Sequence, residues 1–270
     1  MEDRLVANVM PVIGQAGAAL RDMFLKGVRP QEKADRSLVT EADLLSERII
    51  LDWIKAHYPG DLIISEESGR TEASGHASGW GWILDPLDGT SNFANKLPYF
   101  CISLAFGQFE GAKFSAKGAV VFDPMQDRMF YAQKGSGAFW GSDRLIGSPV
   151  EKMGDAYLGC GLSLDGSDEF LVRPYLDLCR AAHGSRRMGA AALDLSYVAA
   201  GVFDVYFAAN LKSWDMAAAS LIMEEAGCTV SNFGDDLPFD SFAPGVVAGN
   251  KKLVEYVKQT FAKYRIGGQA

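Results

Sequence analysis

The segment Trp82-Ile83-Leu84-Asp85-Pro86-Leu87-Asp88-Gly89-Thr90-Ser91-Asn92-Phe93 sets two aspartates three residues apart, directly after a strongly apolar run. The run reads as a buried strand, so Asp85 falls where that strand ends. Pro86 fixes one backbone angle and Gly89 permits a tight turn. Asp85 and Asp88 can then face one cleft with the Leu87 carbonyl between them, an oxygen-rich set that suits a hard cation such as Mg²⁺. The N–H groups that follow Asp88 can cradle an anion, as turn nests and helix starts do. Asp-Pro and Asp-Gly are also common loop punctuation, and alone they would signal only a turn.

Three further acidic segments gain weight from this one. Ser65-Glu66-Glu67-Ser68 also follows an apolar strand, Leu62-Ile63-Ile64. Two strands that end in acids suggest a shared rim, where ligand sites of α/β sheets lie. Val39-Thr40-Glu41-Ala42-Asp43 carries an N-cap threonine with an acid three residues on, which capping alone explains. In Ser213-Trp214-Asp215-Met216 the aspartate opens a helix, a placement that the helix dipole favours without any chemistry. Each acid has an ordinary structural explanation; their joint occurrence does not.

The remainder of the 270 residues divides into two characters. Helical spacing covers Asp3 to Leu25 and Thr40 to Ala56, and Ser68 to Gly79 reads as a loop. Strand signals cover Trp80 to Leu84, Phe100 to Phe109, Gly118 to Phe122 and Arg128 to Gln133. These predict a sheet of antiparallel hairpins packed on the first two helices. Beyond about Gly147, helical patterns (Glu169 to Ala182, Ala191 to Ala200, Met216 to Ala226, Lys251 to Tyr264) alternate with short strands (Ala156 to Cys160, Val205 to Phe207, Cys228 to Ser231, Gly245 to Ala248). That is an α/β half, and the boundary is placed between residues 148 and 149.

Composition bounds the function. Twenty-six basic against 34 acidic residues give a net charge of −8, so a broad basic footprint for nucleic acid is not expected. An acidic chain can still take phosphate esters when metal ions mask its carboxylates. Four scattered cysteines and three histidines predict free thiols in a reducing compartment and no zinc site. The N-terminus reads as neither signal peptide nor membrane span. A soluble cytoplasmic protein is the expectation.

The four motifs in this order resemble the inositol monophosphatase family, within the lithium-sensitive, magnesium-dependent sugar phosphatases, from about Val6 to Lys263. The resemblance implies a layered α-β-α-β-α sandwich, an α+β half (1–148) followed by an α/β half (149–270), with the site between them. It implies two to three Mg²⁺ ions. Glu66, Asp85 and the Leu87 carbonyl would hold the first, and Asp85, Asp88 and Asp215 the second. Glu66 would also approach a weaker third ion. Asp43 with Thr90 would orient and deprotonate the attacking, metal-activated water. Substrate contacts would come from Lys33, Glu66, Asp88, Gly89, Thr90, Ser91, Gly189, Ala190, Ala191 and Asp215. The implied reaction is hydrolysis of inositol monophosphate or a related small polyol phosphate, in a homodimer.

Some residues depart from the family pattern. Ala208 stands where many members have a glutamate on the inositol hydroxyls, and Gly189-Ala190-Ala191 lacks the threonine of a Gly-Thr-Ala segment. Fructose 1,6-bisphosphate, the 2′-phosphate of NADP and histidinol phosphate stay open as substrates, although Thr90-Ser91-Asn92-Phe93 looks more like the inositol branch. Arg186-Arg187 can meet a second phosphate, while a surface or inter-subunit salt bridge is the commoner fate of such a pair. A regulatory protein that binds RNA or transcription machinery is the alternative of another class. Its carrier would be the terminal helix with Lys251, Lys252, Lys258, Lys263 and Arg265, whose other side (Leu253, Val257, Phe261, Tyr264) reads as core packing.

Overall fold

The structure is a computed structural model that describes residues 5–27, 31–32, 38–71, 79–162, 169–233 and 237–265. Helix α1 (Leu5–Lys26) buries Val9, Val12, Ile13, Ala16, Leu20 and Phe24 along one stripe. Two short strands, β1 (Gln31–Glu32) and β2 (Leu38–Val39), pair antiparallel before α2 (Glu41–His57). Thr40 starts α2 with a capping box: its hydroxyl accepts the Ala42 N–H at 3.1 Å, and Asp43 Oδ2 accepts the Thr40 N–H at 2.7 Å.

Strands β3 (Leu62–Ser65), β4 (Gly69–Thr71), β5 (Trp80–Asp88), β6 (Cys101–Glu110), β7 (Lys113–Asp123), β8 (Arg128–Gln133), β9 (Gly137–Trp140) and β10 (Asp143–Arg144) form one sheet in the order β10-β9-β8-β7-β6-β5-β3-β4. Only β3 and β5 run parallel. A single turn of helix, α3 (Thr90–Ala94), follows β5. A second sheet takes β11 (Tyr157–Gly161), β12 (Gly184–Arg186), β13 (Val205–Ala209), β14 (Thr229–Asn232) and β15 (Gly245–Gly249) in the order β12-β11-β13-β15-β14. Helices α4 (Glu169–Ala181), α5 (Ala191–Ala199), α6 (Ser213–Glu225) and α7 (Lys251–Arg265) complete the chain.

The layers run α1/α2, large sheet, α5/α6, small sheet, α4/α7. Three apolar cores fill the spaces between them. Trp82, Leu84 and Phe100 pack under α1 and α2; Ile83, Val121 and Phe130 face α5 and α6; Leu158, Val205 and Phe207 meet α7. This is the five-layer sandwich expected from the sequence. Among the described residues no helix is long and apolar enough to cross a membrane. All four cysteines are free.

The differences from the sequence reading have local causes. The segment read as a loop from Ser68 contains β4, because Gly69 turns back at positive φ and pairs with Ser65; residues 72–78 of that segment lie outside the described residues. Strand β5 runs on to Asp88 rather than stopping at Leu84. Helix α6 begins three residues before the predicted Met216, so Asp215 sits in its first turn. Tyr264, placed on the packed side of the terminal helix, is exposed and meets Asp177 through its hydroxyl; Val254 takes the core position instead. The lysine side of α7 is solvated, with Lys252 paired to Glu151 and Lys258 on Ser231.

Close helix–sheet packing dictates Gly17. A Cβ there would lie 2.3 Å from the Phe122 ring and 3.2 Å from Pro124 Cβ. Alanine gains about 0.5–1 kcal/mol in helix propensity over glycine, whereas overpacking costs about 1–3 kcal/mol. Packing wins, so Gly17→Ala is expected to lower the thermal unfolding midpoint; an increase would show that α1 can lift from β7 at no cost.

Candidate functional site

Residues three apart on a strand normally face opposite sides. Asp85 and Asp88 escape this because the β5–β6 ladder shifts register between them: Asp85 pairs with Ser103, yet Asp88 pairs with Cys101. Pro86 has no N–H for the ladder, which favours such an irregularity. The Asp85, Asp88 and Asp215 carboxylates each offer an oxygen within 4.8 Å of the others. Two layers of the sandwich contribute, since Asp215 arrives from α6.

Each of the three carboxylates is anchored by a backbone amide. Asp85 Oδ1 accepts the Leu87 N–H at 2.9 Å. Asp88 Oδ2 accepts the Ala192 N–H at 2.7 Å, at the start of α5, and the Cys101 thiol lies 3.6 Å from the same oxygen. Asp215 Oδ2 accepts the Lys212 N–H at 2.7 Å. The Ala192 bond joins residues 104 apart, so the second half of the chain helps to fix an acid of the first.

Burial and mutual repulsion act together on these acids. Burial, then the charges of Glu66, Asp88 and Asp215, pushes Asp85 well above the usual carboxylate range. Asp88 is raised to about 7, mostly by burial, and Asp215 to about 8, by burial and then by Asp88. The Glu66 charge, from the turn after β3, acts on all three, while the oxygens that lie within 4.8 Å of one another are those of Asp85, Asp88 and Asp215. Such a group either takes up protons or takes a cation. Its donors are all carboxylate oxygens held in place, the chemistry of a Mg²⁺ site.

Asp43 is fully buried. Its Oδ2 serves the capping box, and its Oδ1 lies 3.0 Å from the Thr90 hydroxyl. Thr90 Oγ1 is also 3.0 Å from the Leu87 carbonyl. Asp43 therefore meets the DPLDGT turn through Thr90. Gly89 has φ +94° and little room: an added Cβ would lie 3.1 Å from both Ala190 Cβ and the Tyr99 carbonyl. Asn92 Nδ2 donates to the Tyr99 and Met188 carbonyls at 2.8 and 2.9 Å, which ties α3 to the approach to α5.

A cleft of about 340 Å³ opens beside the cluster, with Asp88, Asp215, Gly189, Ala190 and Ala191 in its wall. Ser91 is exposed and does not line it. Lys33 lies outside the described residues. Ala208, which the resemblance sets at the position of a substrate-binding glutamate, does not reach the cleft. Ala208 is fully buried and absent from the cleft wall, which takes Tyr206 and Asn210 instead. Its Cβ and the Tyr206 hydroxyl crowd Gly161, where an added Cβ would lie 2.9 and 2.7 Å from them.

Sequence reading missed Glu47. This buried acid lies one helical turn after Asp43, and its Oε1 accepts from the Ser65 hydroxyl, the Ser68 N–H (3.0 Å) and the Ser68 hydroxyl (3.1 Å). It anchors both ends of the turn that carries Glu66. The i, i+4 spacing on α2 was the available signal.

A model of the inositol monophosphatase family matches residues 2–265. The chain belongs to the inositol monophosphatase family. It is 38% identical over 234 residues to Nus factor SuhB of Pseudomonas aeruginosa, covering 85% of this chain and 84% of that protein. It is 34% identical over 263 residues to inositol-1-monophosphatase of Rhizobium meliloti, covering 95% and 96%. The crystal structure of extragenic suppressor protein suhB from Bartonella henselae superposes with a TM-score of 0.86 at 31% identity, covering 96% of this chain and 98% of that one. The inositol monophosphatase fold thus accounts for all five layers.

Two predictions follow from the cluster and its surroundings. The raised acids hold protons in the metal-free native state that the unfolded chain releases above about pH 4. Stability without metal is therefore expected to fall between about pH 5 and pH 8, and saturating Mg²⁺ to raise the unfolding midpoint more at pH 8 than at pH 6. Equal Mg²⁺ shifts at both values would count against a metal at these acids. Ala208→Glu is expected to lower the unfolding midpoint, because the added carboxylate meets packed atoms and not solvent; an unchanged midpoint would show that the position opens to the cleft.

Proposed function

We propose that this chain is a Mg²⁺-dependent phosphate monoester hydrolase acting on inositol monophosphate or a related small polyol phosphate. The observation that carries this reading is the trio Asp85, Asp88 and Asp215, anchored by amides beside a cleft of sugar size. Glu66, Asp85 and the Leu87 carbonyl would hold one ion, and Asp85, Asp88 and Asp215 a second, with a third weaker ion at Glu66. When bound, the ions neutralise the phosphate dianion, acidify water and stabilise the leaving alkoxide.

The protein's own groups divide the remaining work. The Thr90 hydroxyl, with Asp43 behind it, orients a water for in-line attack on phosphorus. The water's proton passes through Thr90 to Asp43, whose affinity for it is raised by burial. The P–O bond to the alcohol breaks as the new P–O bond forms, and the alkoxide takes a proton from solvent. The amides of Gly89 and Thr90 suit the phosphate oxygens. Lys33, Gly189, Ala190 and Ala191 complete the proposed substrate contacts, without Ser91, which does not line this cleft. The halves 1–148 and 149–270 would meet at this cleft, in a homodimer.

The test is phosphate release from inositol 1-phosphate, fructose 1,6-bisphosphate, NADP and histidinol phosphate, each with Mg²⁺ and with EDTA. Mg²⁺-dependent turnover is expected, and Asp88→Asn is expected to lower kcat/KM at least about a hundredfold, since it removes ligand charge and leaves the side chain's volume. Wild-type turnover in that variant at limiting Mg²⁺ would sink the assignment. A second reading draws on the 38% identity to a protein named Nus factor SuhB: a regulatory protein that binds RNA or transcription machinery. Folded, Mg²⁺-binding protein without turnover on any substrate would favour it.

A further inference from the structure

Asp194 is a buried carboxylate, 2% exposed, that belongs neither to the acidic trio nor to the wall of the cleft. It stands in the first turn of α5, two residues after the Ala192 amide that holds Asp88. After burial, its charge is the strongest influence that raises Asp88. A further acid in an interior already crowded with acids is a costly way to fill space. Its Oδ1 has one clear use: it accepts the Tyr99 hydroxyl at 2.6 Å, within the span of charge-assisted O–H···O bonds, about 2.5–2.7 Å.

Asp88 and Tyr99 bracket the segment that carries Gly89, Thr90 and α3. The second half of the chain grips this segment at three points. The Ala192 N–H holds Asp88 at 2.7 Å, Asn92 Nδ2 donates to the Met188 carbonyl at 2.9 Å, and the Tyr99 hydroxyl holds Asp194. Asn92 Nδ2 also donates to the Tyr99 carbonyl at 2.8 Å, so the last two grips are joined. On its other side the segment is packed by rings: Phe93 and Phe100 lie 4.9 Å apart, and both meet Phe24 of α1. Apolar packing is non-directional and gives the segment its depth. Hydrogen bonds are directional and set its orientation.

We propose that Asp194 is a positioning residue, which through Tyr99 fixes the 89–99 segment and with it the Thr90 hydroxyl. The proposal rests on the hydrolase reading for what Thr90 does, and on the hydrogen bonds alone for the grip. Thr90 Oγ1 lies 3.0 Å from both Asp43 Oδ1 and the Leu87 carbonyl, so a shift of about 1 Å would take it out of hydrogen-bond reach. A misplacement of that size costs up to about a hundredfold in rate. There is no slack to absorb it. The Tyr99 carbonyl lies where it would stand 3.1 Å from a Cβ on Gly89, so a movement of Tyr99 is felt at Gly89 and Thr90. One turn of α5 thus sets both ends of the segment, Asp88 through Ala192 and Tyr99 through Asp194.

Two readouts test this in Tyr99→Phe, Asp194→Ala, Asp194→Asn and the double variant Tyr99→Phe/Asp194→Ala, with unfolding midpoints confirming intact folds. The first is hydrogen exchange of the amides of residues 89–98, followed by mass spectrometry. Tyr99→Phe and Asp194→Ala are each expected to speed it about tenfold. The second is turnover of inositol 1-phosphate with Mg²⁺, where each should lower kcat at least about tenfold and change KM less. The double variant should be no worse than the poorer single one, since both cut the same bond. Asp194→Asn keeps an acceptor oxygen and should restore part of both readouts. Wild-type exchange and kcat in Tyr99→Phe would overturn the proposal while phosphate release leaves the hydrolase reading standing. So would an Asp194→Asn as poor as Asp194→Ala beside an active Tyr99→Phe, which would assign Asp194 to charge and not to position. Faster exchange in the variants of a wild type without turnover would uphold the grip and remove the hydrolase reading.

Discussion

Electrostatic repulsion among Asp85, Asp88 and Asp215 is the constraint that the surrounding fold must accommodate. Three carboxylate oxygens within 4.8 Å, with Glu66 adding its charge, would drift apart or stay protonated if their side chains were free. They are not free. Each accepts a hydrogen bond from a backbone amide: Leu87 in the bulged end of β5, Ala192 at the start of α5, Lys212 at the start of α6. Amides cost no side-chain entropy to position, and those at helix starts carry the positive end of the dipole. The arrangement is thus tolerable without a cation and strongly receptive to one.

That solution requires the two sheets to be locked in register, because two of the three amides come from the second half of the chain. The contacts that do this lie around the site. Asn92 joins the Tyr99 and Met188 carbonyls, the Tyr99 hydroxyl donates to Asp194 at 2.6 Å, and the Ser103 hydroxyl donates to the Trp214 carbonyl at 3.0 Å. Gly89 and Ala190 allow the closest approach, since any larger group at Gly89 meets Ala190 Cβ and the backbone at residues 99 and 100. Smallness at these positions is a packing requirement of the site and not a sign of flexibility.

The two characters of the chain were legible in local signals: a continuous apolar run before Asp85, a helix start at Thr40, and alternating patterns after residue 147; the five-layer order and the acidic trio were legible through the resemblance of the motifs that carry Asp85, Asp88 and Asp215. What escaped the sequence depends on long-range geometry. The shift of register between Asp85 and Asp88 requires knowledge of β6. Glu47 is unremarkable on α2 until the turn at residues 65–68 folds onto it. Ala208 read as a cleft residue because its position in the motif was known and its burial was not; it is fully buried, with its Cβ packed against Gly161. Strands of two to four residues such as β4, β10 and β12 carry too few residues to show a period, and pairing with a longer neighbour is what defines them.

Asp43 shows why structural and functional readings of one residue need not compete. A carboxylate has two oxygens, and here they serve different elements. Oδ2 closes the capping box at the start of α2, with the Thr40 N–H and hydroxyl both on it. Oδ1 faces the Thr90 hydroxyl of the DPLDGT turn. The cap holds the side chain in one rotamer, and that rotamer is the one that reaches Thr90. One turn further along α2, Glu47 grips the turn that carries Glu66. A single helix therefore sets the position of the proposed proton acceptor and of one proposed metal ligand, and the cap that starts the helix is part of the same geometry. Loss of the cap would be felt at Thr90 before it was felt in the core.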